Sequence, residues 1–152
     1  MNINLEKATM KDAPIIQELV NQFARKGQML LISKNEIYEH LFEYLLCKVD
    51  GEAVGVCALR PVWEDKAEIR SLAVAPEHHR NGIGLAMIEK QLERARKYGF
   101  KQVFALTYRE DFFKEAGFSL TTLEALPKKI WTDCLKCVKY PDCDETAVII
   151  DL

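Results

Sequence analysis

The segment from Arg70 to Ile88 carries the residue types that a site for a phosphate-bearing ligand needs. Leu72 and Val74 alternate with smaller or polar neighbours, which is typical of a strand, and Pro76 ends that pattern because proline cannot donate to a strand ladder. A polar loop with two glycines follows, and apolar residues then recur at helical spacing. The segment therefore predicts a strand, a glycine-containing loop and the beginning of a helix.

The first turn of that helix, beside Gly82 and Gly84, could bind an anion. Its backbone N–H groups have no helical acceptor and carry a partial positive charge. Glycine lets a bulky group approach the backbone, so the combination favours a phosphate site. The segment lacks the third glycine of a dinucleotide fingerprint and the Gly-Lys-Ser/Thr of a P-loop. The alternative is a short strand-to-helix turn whose glycines serve only the turn.

Composition limits the class of protein. A chain of 152 residues is expected to form a single domain, residues 1–152, with a substantial core. A formal charge of −2 and a pI of about 6.0 argue against nucleic acid as a partner. No apolar run approaches the roughly 20 residues of a membrane span, and the N-terminus has no signal-peptide core. Five cysteines, an odd number, favour reduced thiols and a cytoplasmic location.

The remaining patterns predict an α+β fold in which about four helices flank a mixed sheet. The predicted strands are 2–8, 42–49, a run around Val54–Ala58, Glu68–Val74, 101–106 and a final closing strand at 147–150. The first predicted helix begins with an Asp12 cap and ends at Gly27, and the second begins at Ser33 and reaches Leu41. The third runs from Gly84 to Tyr98, and the fourth occupies 109–116. Asp50-Gly51 predicts a hairpin, and Pro61–Lys66 a turn.

The sequence His79-Arg80-Asn81-Gly82-Ile83-Gly84 resembles the Q/R-x-x-G-x-G/A signature of the GNAT N-acetyltransferase superfamily, with His79 where Gln or Arg is usual. The resemblance implies the acetyltransferase fold and acetyl-CoA as cofactor. It also implies two sets of cofactor-binding residues. These are Leu72, Ala73 and Val74 along the pantetheine arm, and His79, Arg80, Asn81, Gly82, Ile83, Gly84 and Leu85 around the pyrophosphate, mainly through backbone amides.

Acetyl transfer to an amine needs a base, an oxyanion donor and a leaving thiolate. The resemblance implies that a backbone N–H near Leu72–Val74 serves the oxyanion. Glu68 is the candidate base, acting through water; the alternative is a solvated carboxylate paired with Arg70. Thr107 or Tyr108 could protonate the leaving sulfur, unless Thr107 only caps the following helix.

One departure concerns the general acid. Many members of this superfamily place a tyrosine four residues before the glycine of a Gly-Phe pair. Here the pair is Gly117-Phe118 and the fourth residue before it is Phe113, which has no proton to donate. Thr107 or Tyr108 therefore takes the role, or the thiolate leaves without a dedicated acid.

Several segments resemble the short, single-domain N-acetylglutamate synthase branch of the superfamily. They are residues 67–74, 104–107, 112–118, 126–129 and 144–148. The resemblance implies the α-amine of glutamate as acceptor and a place in arginine biosynthesis. A carboxylate substrate favours a bidentate arginine, so Arg70, with its neighbour Ser71, is preferred over Arg109, Lys128 and Lys129, and both lysines could be surface charges. Ile32 stands where the branch usually has an arginine, which leaves room for another small amine.

Two further features leave alternatives open. Cys134, Cys137 and Cys143 could supply part of a zinc site, or be plain or redox-active thiols, which we prefer. Trp63 and Trp131 could lie near the amine pocket or in a homodimer face. The rival functions are a non-catalytic acyl-CoA-binding regulatory module and a redox or metal sensor based on the cysteines.

Overall fold

A computed structural model of the chain describes residues 3–27, 29, 31–79, 81–126 and 145–152. The strands are β1 (Ile3–Lys7), β2 (Tyr44–Val49), β3 (Glu52–Trp63), β4 (Lys66–Val74), β5 (Gln102–Thr107), β6 (Ser119–Thr121) and β7 (Thr146–Asp151). The α-helices are α1 (Ala13–Ala24), α2 (Lys34–Glu39), α3 (Ile83–Tyr98) and α4 (Glu110–Glu115).

The strands form one mixed sheet in the order β1-β2-β3-β4-β5-β7-β6. β4 and β5 are parallel, whereas β1 with β2, β2 with β3, β5 with β7 and β6 with β7 are antiparallel. The predicted α+β class is therefore confirmed, with β1 at an edge and α3 as the crossover between the parallel strands.

Local signals placed most element ends correctly. Asp50 and Gly51 have φ values of +52° and +86°, which two-residue hairpins require. The Ser33 hydroxyl accepts a hydrogen bond from the Glu36 amide at 3.1 Å and so caps α2. Gly99, with φ +90°, follows the last residue of α3.

Other expectations were wrong. The Asp12 carboxylate accepts bonds from the Thr9 amide and hydroxyl at 2.7 and 2.9 Å and does not cap α1. β3 continues through the exposed Pro61 to Trp63 and β4 begins at Lys66, so only residues 64–65 of the predicted turn lie between the two strands. The three-residue β6 was not predicted, and it places the final strand, β7, inside the sheet.

Tertiary contacts divide the chain into two compact units. The first unit comprises Met1–Leu59 and Ile69–Gln91, and the second comprises Arg60–Glu68 and Leu92–Leu152. The first unit has an apolar core of Ala13, Ile16, Leu19, Val20, Ile32, Ile37, Tyr44, Leu46, Val56, Ala58 and Ala73. The second has a smaller cluster of Val62, Phe104, Leu126 and Ala147. The expected single domain stays a prediction.

Within the first unit, two features hold the N-terminal half of α3 against β3. Gln91 is fully buried, and its Nε2 donates to the carbonyl oxygens of Cys57 at 2.6 Å and Glu43 at 3.2 Å. A Cβ atom on Gly55 would lie 2.8 Å from Cε of Met87, so glycine at this position permits the close approach of the helix. The position of the helix N-terminus is thus set by specific contacts.

Among the helices in the described parts of the chain, none is long and apolar enough to cross a membrane.

We predict that Gln91→Met lowers the free energy of unfolding by about 1–3 kcal/mol, because the hydrogen bonds from Gln91 Nε2 to the Cys57 and Glu43 carbonyls are lost while the side-chain volume is nearly kept. Gln102→Met is the matched control, since Gln102 bonds an exposed Asp151 carboxylate; there we expect a loss of at most about 0.5 kcal/mol. Urea unfolding of both variants measures the difference. Equal losses would show that the Gln91 bonds do not hold α3.

Candidate functional site

The loop between β4 and α3 is held at both of its ends. The Ala75 amide donates to the Val54 carbonyl at 2.8 Å, which attaches the first loop residue to β3. Residues Pro76–His78 then form one turn of 3-10 helix. The side chain of Ile83, the first residue of α3, is buried at 1% exposure and anchors the other end.

The first turn of α3 presents the backbone donors that the sequence predicts. The Ala86 amide donates to the Gly82 carbonyl at 3.0 Å, while the amides of Ile83, Gly84 and Leu85 have no hydrogen-bond acceptor among the described residues. Gly82 has φ +75° and open space where a Cβ would lie. A group with phosphate oxygens can therefore approach this turn.

The first four members of the predicted loop set, residues 79–82, differ in their placement. The His79 amide donates to the Pro76 carbonyl at 3.2 Å, so it is not available to a ligand, contrary to the expectation for that amide. Asn81 and Gly82 are exposed next to the helix N-terminus. Arg80 lies outside the described residues.

Strand β4 changes its backbone conformation just before the segment Leu72–Val74. Ser71 has φ +55°, a left-handed conformation that side chains other than glycine rarely adopt and that costs on the order of 1 kcal/mol or more. Ala73 is buried at 2% exposure, and Leu72 and Val74 are partly exposed. A local irregularity of this kind redirects the peptide groups of a strand, as bulges do near active sites. Nothing in the sequence signals it.

In the second unit, the parallel ladder between β4 and β5 comprises only three pairs. They join Lys66, Ala67 and Glu68 to Gln102, Val103 and Phe104. β5 instead pairs along its whole length with β7.

Glu68 closes this short ladder and is only 7% exposed. Glu68 is thus not a solvated carboxylate, and its pairing with Arg70, the other part of that alternative, stays open. Burying a carboxylate is costly unless it is paired or hydrogen-bonded. A carboxylate in this position needs a structural partner or a chemical role.

The residues that follow β5 differ in exposure. Thr107 is 8% exposed, and its hydroxyl oxygen accepts a bond from the Arg109 amide at 2.8 Å, at the turn that precedes α4. Tyr108 is 36% exposed. Phe113 is 4% exposed, and its ring meets that of Phe118 edge-on at 5.1 Å. Phe113 is therefore a packing residue in the second unit.

The predicted substrate-binding residues differ in exposure, and some of them lie outside the described residues. Arg70 and Ser71 are both partly exposed in β4, and Arg109 is exposed. Lys128 and Lys129 lie outside the described residues, as do Trp131, Cys134, Cys137 and Cys143. Trp63 is 57% exposed. Cys47 and Cys57 are buried, and burial raises the pKa of the Cys47 thiol, which disfavours its thiolate.

Ile32 has an environment that the sequence did not reveal. Its side chain is 8% exposed in the core of the first unit. Its amide donates to Asn21 Oδ1 at 3.0 Å, and its carbonyl accepts from Asn21 Nδ2 at 3.3 Å and Gln17 Nε2 at 3.2 Å. These bonds hold the segment before α2 against α1. Polar residues on a largely apolar helix, Gln17 and Asn21, were the available signal for this contact.

Known proteins identify the family. Residues 13–118 match the profile of the family described as "Acetyltransferase (GNAT) family". The chain belongs to this family. An uncharacterized N-acetyltransferase of Chlorobaculum tepidum is 36% identical over 145 residues, which cover 95% of this chain and 94% of that protein. An amino-acid acetyltransferase of Mycobacterium tuberculosis is 35% identical over 128 residues, which cover 81% and 71% of the two chains.

A solved structure gives the same result for the fold. N-acetylglutamate synthase from Neisseria gonorrhoeae, complexed with coenzyme A and N-acetyl-glutamate, superimposes with a TM-score of 0.90 at 25% identity. The match covers all of this chain and 35% of that one, so this chain spans about a third of the synthase. The predicted GNAT fold is confirmed, and this member of the family is an N-acetyltransferase with acetyl-CoA as its acetyl donor.

For the loop of this acetyltransferase, we predict that Gly82→Val raises the dissociation constant of coenzyme A at least about tenfold, since a branched Cβ obstructs the approach to the helix amides. Gly99→Val is the matched control, because Gly99 also has positive φ and open space but follows the last residue of α3. Both changes should cost about 1–3 kcal/mol of stability. Calorimetric titration with coenzyme A separates them, and equal affinities in the two variants would rule out the Gly82 turn as the binding site.

Proposed function

We propose that this acetyltransferase transfers the acetyl group of acetyl-CoA to the α-amine of a small amino acid, with L-glutamate as the first candidate. The single observation that carries the use of acetyl-CoA in this proposal is the first turn of α3, where three successive amides have no acceptor among the described residues and are available to a diphosphate. Support for an amino-acid acceptor comes from the names of the M. tuberculosis relative and the N. gonorrhoeae structure.

In this proposal the cofactor is held mainly by backbone groups. The amides of Gly82 to Leu85, next to the exposed Asn81, bind the diphosphate of acetyl-CoA. Leu72, Ala73 and Val74 offer peptide groups to the pantetheine arm, and one of their amides donates to the oxyanion. The left-handed residue Ser71, immediately before this segment, supports a local change in the direction of those groups.

The transfer is direct and takes place in a ternary complex. Glu68 removes a proton from the ammonium group through water, and the free amine attacks the thioester carbonyl to form a C–N bond. The C–S bond then breaks, the attacking nitrogen gives up its second proton, and the thiolate takes up one proton, relayed by the hydroxyl of Thr107 or Tyr108 or by solvent. The burial of Glu68 supports its role because a base close to a reacting amine must be shielded from competing solvent.

The choice of amine depends on how a carboxylate would be bound. Arg70, next to Ser71 in β4, is our first candidate for a bidentate contact, with Lys128, Lys129 and Arg109 as further cations. The Ile32 side chain is buried in the core and supplies no charge. Its burial supports the alternative of a less anionic amine, so the acceptor is best identified by screening.

The cellular setting remains part of the proposal. A role in arginine biosynthesis follows only if glutamate is the acceptor. A cytoplasmic location is predicted from the cysteine usage of the sequence, and a homodimer through an exposed face such as that of Trp63 is a prediction as well.

A second function has one specific observation in its favour. Phe113 stands where many superfamily members have a tyrosine that acts as the general acid, and its ring is packed against Phe118. A chain that binds acetyl-CoA without transferring its acetyl group would regulate a partner protein. The substrate screen distinguishes the two functions.

We predict that release of free thiol from acetyl-CoA accelerates in the presence of at least one amino acid, with glutamate first in a panel of amino acids and small amines. Glu68→Gln should lower kcat at least about a hundredfold because the base is lost, while the dissociation constant of coenzyme A changes less than about twofold. Glu115→Gln, at an exposed carboxylate on α4, is the control and should keep full activity.

If no amine accelerates thiol release although acetyl-CoA binds, the regulatory function replaces the enzymatic one. Full activity of the Glu68 variant would remove only the assignment of the base.

A further inference from the structure

The His79 side chain makes a specific hydrogen bond although the residue is exposed. Its Nε2 is 2.7 Å from the Val74 carbonyl oxygen. A carbonyl can only accept a hydrogen bond, so Nε2 carries the proton and donates. The bond spans five residues and joins the loop before α3 to the last residue of β4.

The same ring has a second partner on another element. It is stacked with Phe23 of α1, with the ring centroids 6.3 Å apart and the planes inclined by 21°, within the range of offset aromatic pairs. The Lys26 ammonium lies 6.0 Å from the centroid of Phe23. His79 therefore connects the loop to both β4 and α1 inside the first unit.

The Val74 carbonyl faces the edge of β4 that points away from β3. The Ala75 amide donates to Val54 of β3, and adjacent residues of a strand direct their peptide groups to opposite edges. His79 thus bonds an acceptor on the edge of the segment Leu72–Val74 that faces away from β3. The contact lies between the two parts of the proposed cofactor site, the strand segment and the helix turn.

We propose that the His79 side chain is a positioning residue for the cofactor. Its bond to Val74 and its stacking on Phe23 hold the loop in the conformation in which the amides after Gly82 face a ligand, before the ligand arrives. Such preorganisation lowers the entropy cost of binding. His79 acts on the affinity for coenzyme A and leaves the chemical step unchanged. The inference rests on the proposed function only for the location of the cofactor, and it is independent of which amine is acetylated.

Three substitutions separate the two contacts of His79. His79→Gln keeps a donor and loses the ring, His79→Phe keeps a ring and loses the donor, and His79→Ala loses both. We expect His79→Ala to raise the dissociation constant of coenzyme A about fivefold, with a smaller increase in the Gln and Phe variants. The KM for acetyl-CoA should follow the dissociation constant, while kcat stays within about twofold in all three.

Amide hydrogen exchange of the free protein gives a second readout that needs no ligand. We expect faster exchange at Asn81 to Leu85 in the Ala variant and near-normal exchange in the Gln variant. Phe23→Leu should weaken the binding of coenzyme A when it is introduced into the wild-type protein. It should cause no further loss in the His79→Ala variant, since the stacked pair of rings is already lost there. Unchanged exchange and unchanged affinity in His79→Ala would overturn the inference, as would a loss of kcat with unchanged KM.

If the wild-type protein binds no coenzyme A, the proposed cofactor site is wrong. The exchange rates alone then decide whether His79 holds the loop, and unchanged rates in the Ala variant overturn that role too.

Discussion

The first turn of an α-helix leaves backbone amides without helical acceptors, and the proposed binding of acetyl-CoA by this protein depends on those amides. The amides of Ile83, Gly84 and Leu85 have no acceptor among the described residues. Gly82, which has a positive φ, precedes the helix and places no side chain in front of these amides. An anion with several oxygens can accept hydrogen bonds from several amides of such a turn at once, which a single protein group does less well.

The remaining contacts of the first unit keep this turn in place. Gln91 and Gly55 fix α3 against β3, the Ala75 amide ties the loop to β3, and His79 ties it to β4 and α1. These bonds come from elements far apart in sequence. The conformation of this turn is therefore a product of the whole unit, although the residues that form it are consecutive.

Local chemistry accounts for what the sequence could predict. The hairpin at Asp50-Gly51, the cap at Ser33 and the end of α3 at Gly99 each depend on one or two residues with a strong conformational preference, and each is found where expected. The glycine loop was recognisable for the same reason, because the proposed binding of the cofactor uses the backbone and needs glycine at a defined place.

What the sequence could not reveal depends on long-range pairing. The short strand β6 acquires its structure only from β7, and the left-handed Ser71 lies within a run of ordinary strand formers. The burial of Glu68 and of Ile32 follows from which strands and helices cover them, so the sequence left Glu68 with two interpretations and did not reveal the environment of Ile32. The stacking of Phe23 on His79 had no signal either, since Phe23 fits the apolar face of α1 equally well.

A crystal structure of the protein with coenzyme A tests the central claim most directly. We predict that oxygens of the diphosphate lie about 2.7–3.2 Å from the backbone nitrogens of at least two residues between Gly82 and Leu85. A diphosphate bound elsewhere, with the first turn of α3 in contact only with water or protein groups, would contradict the account.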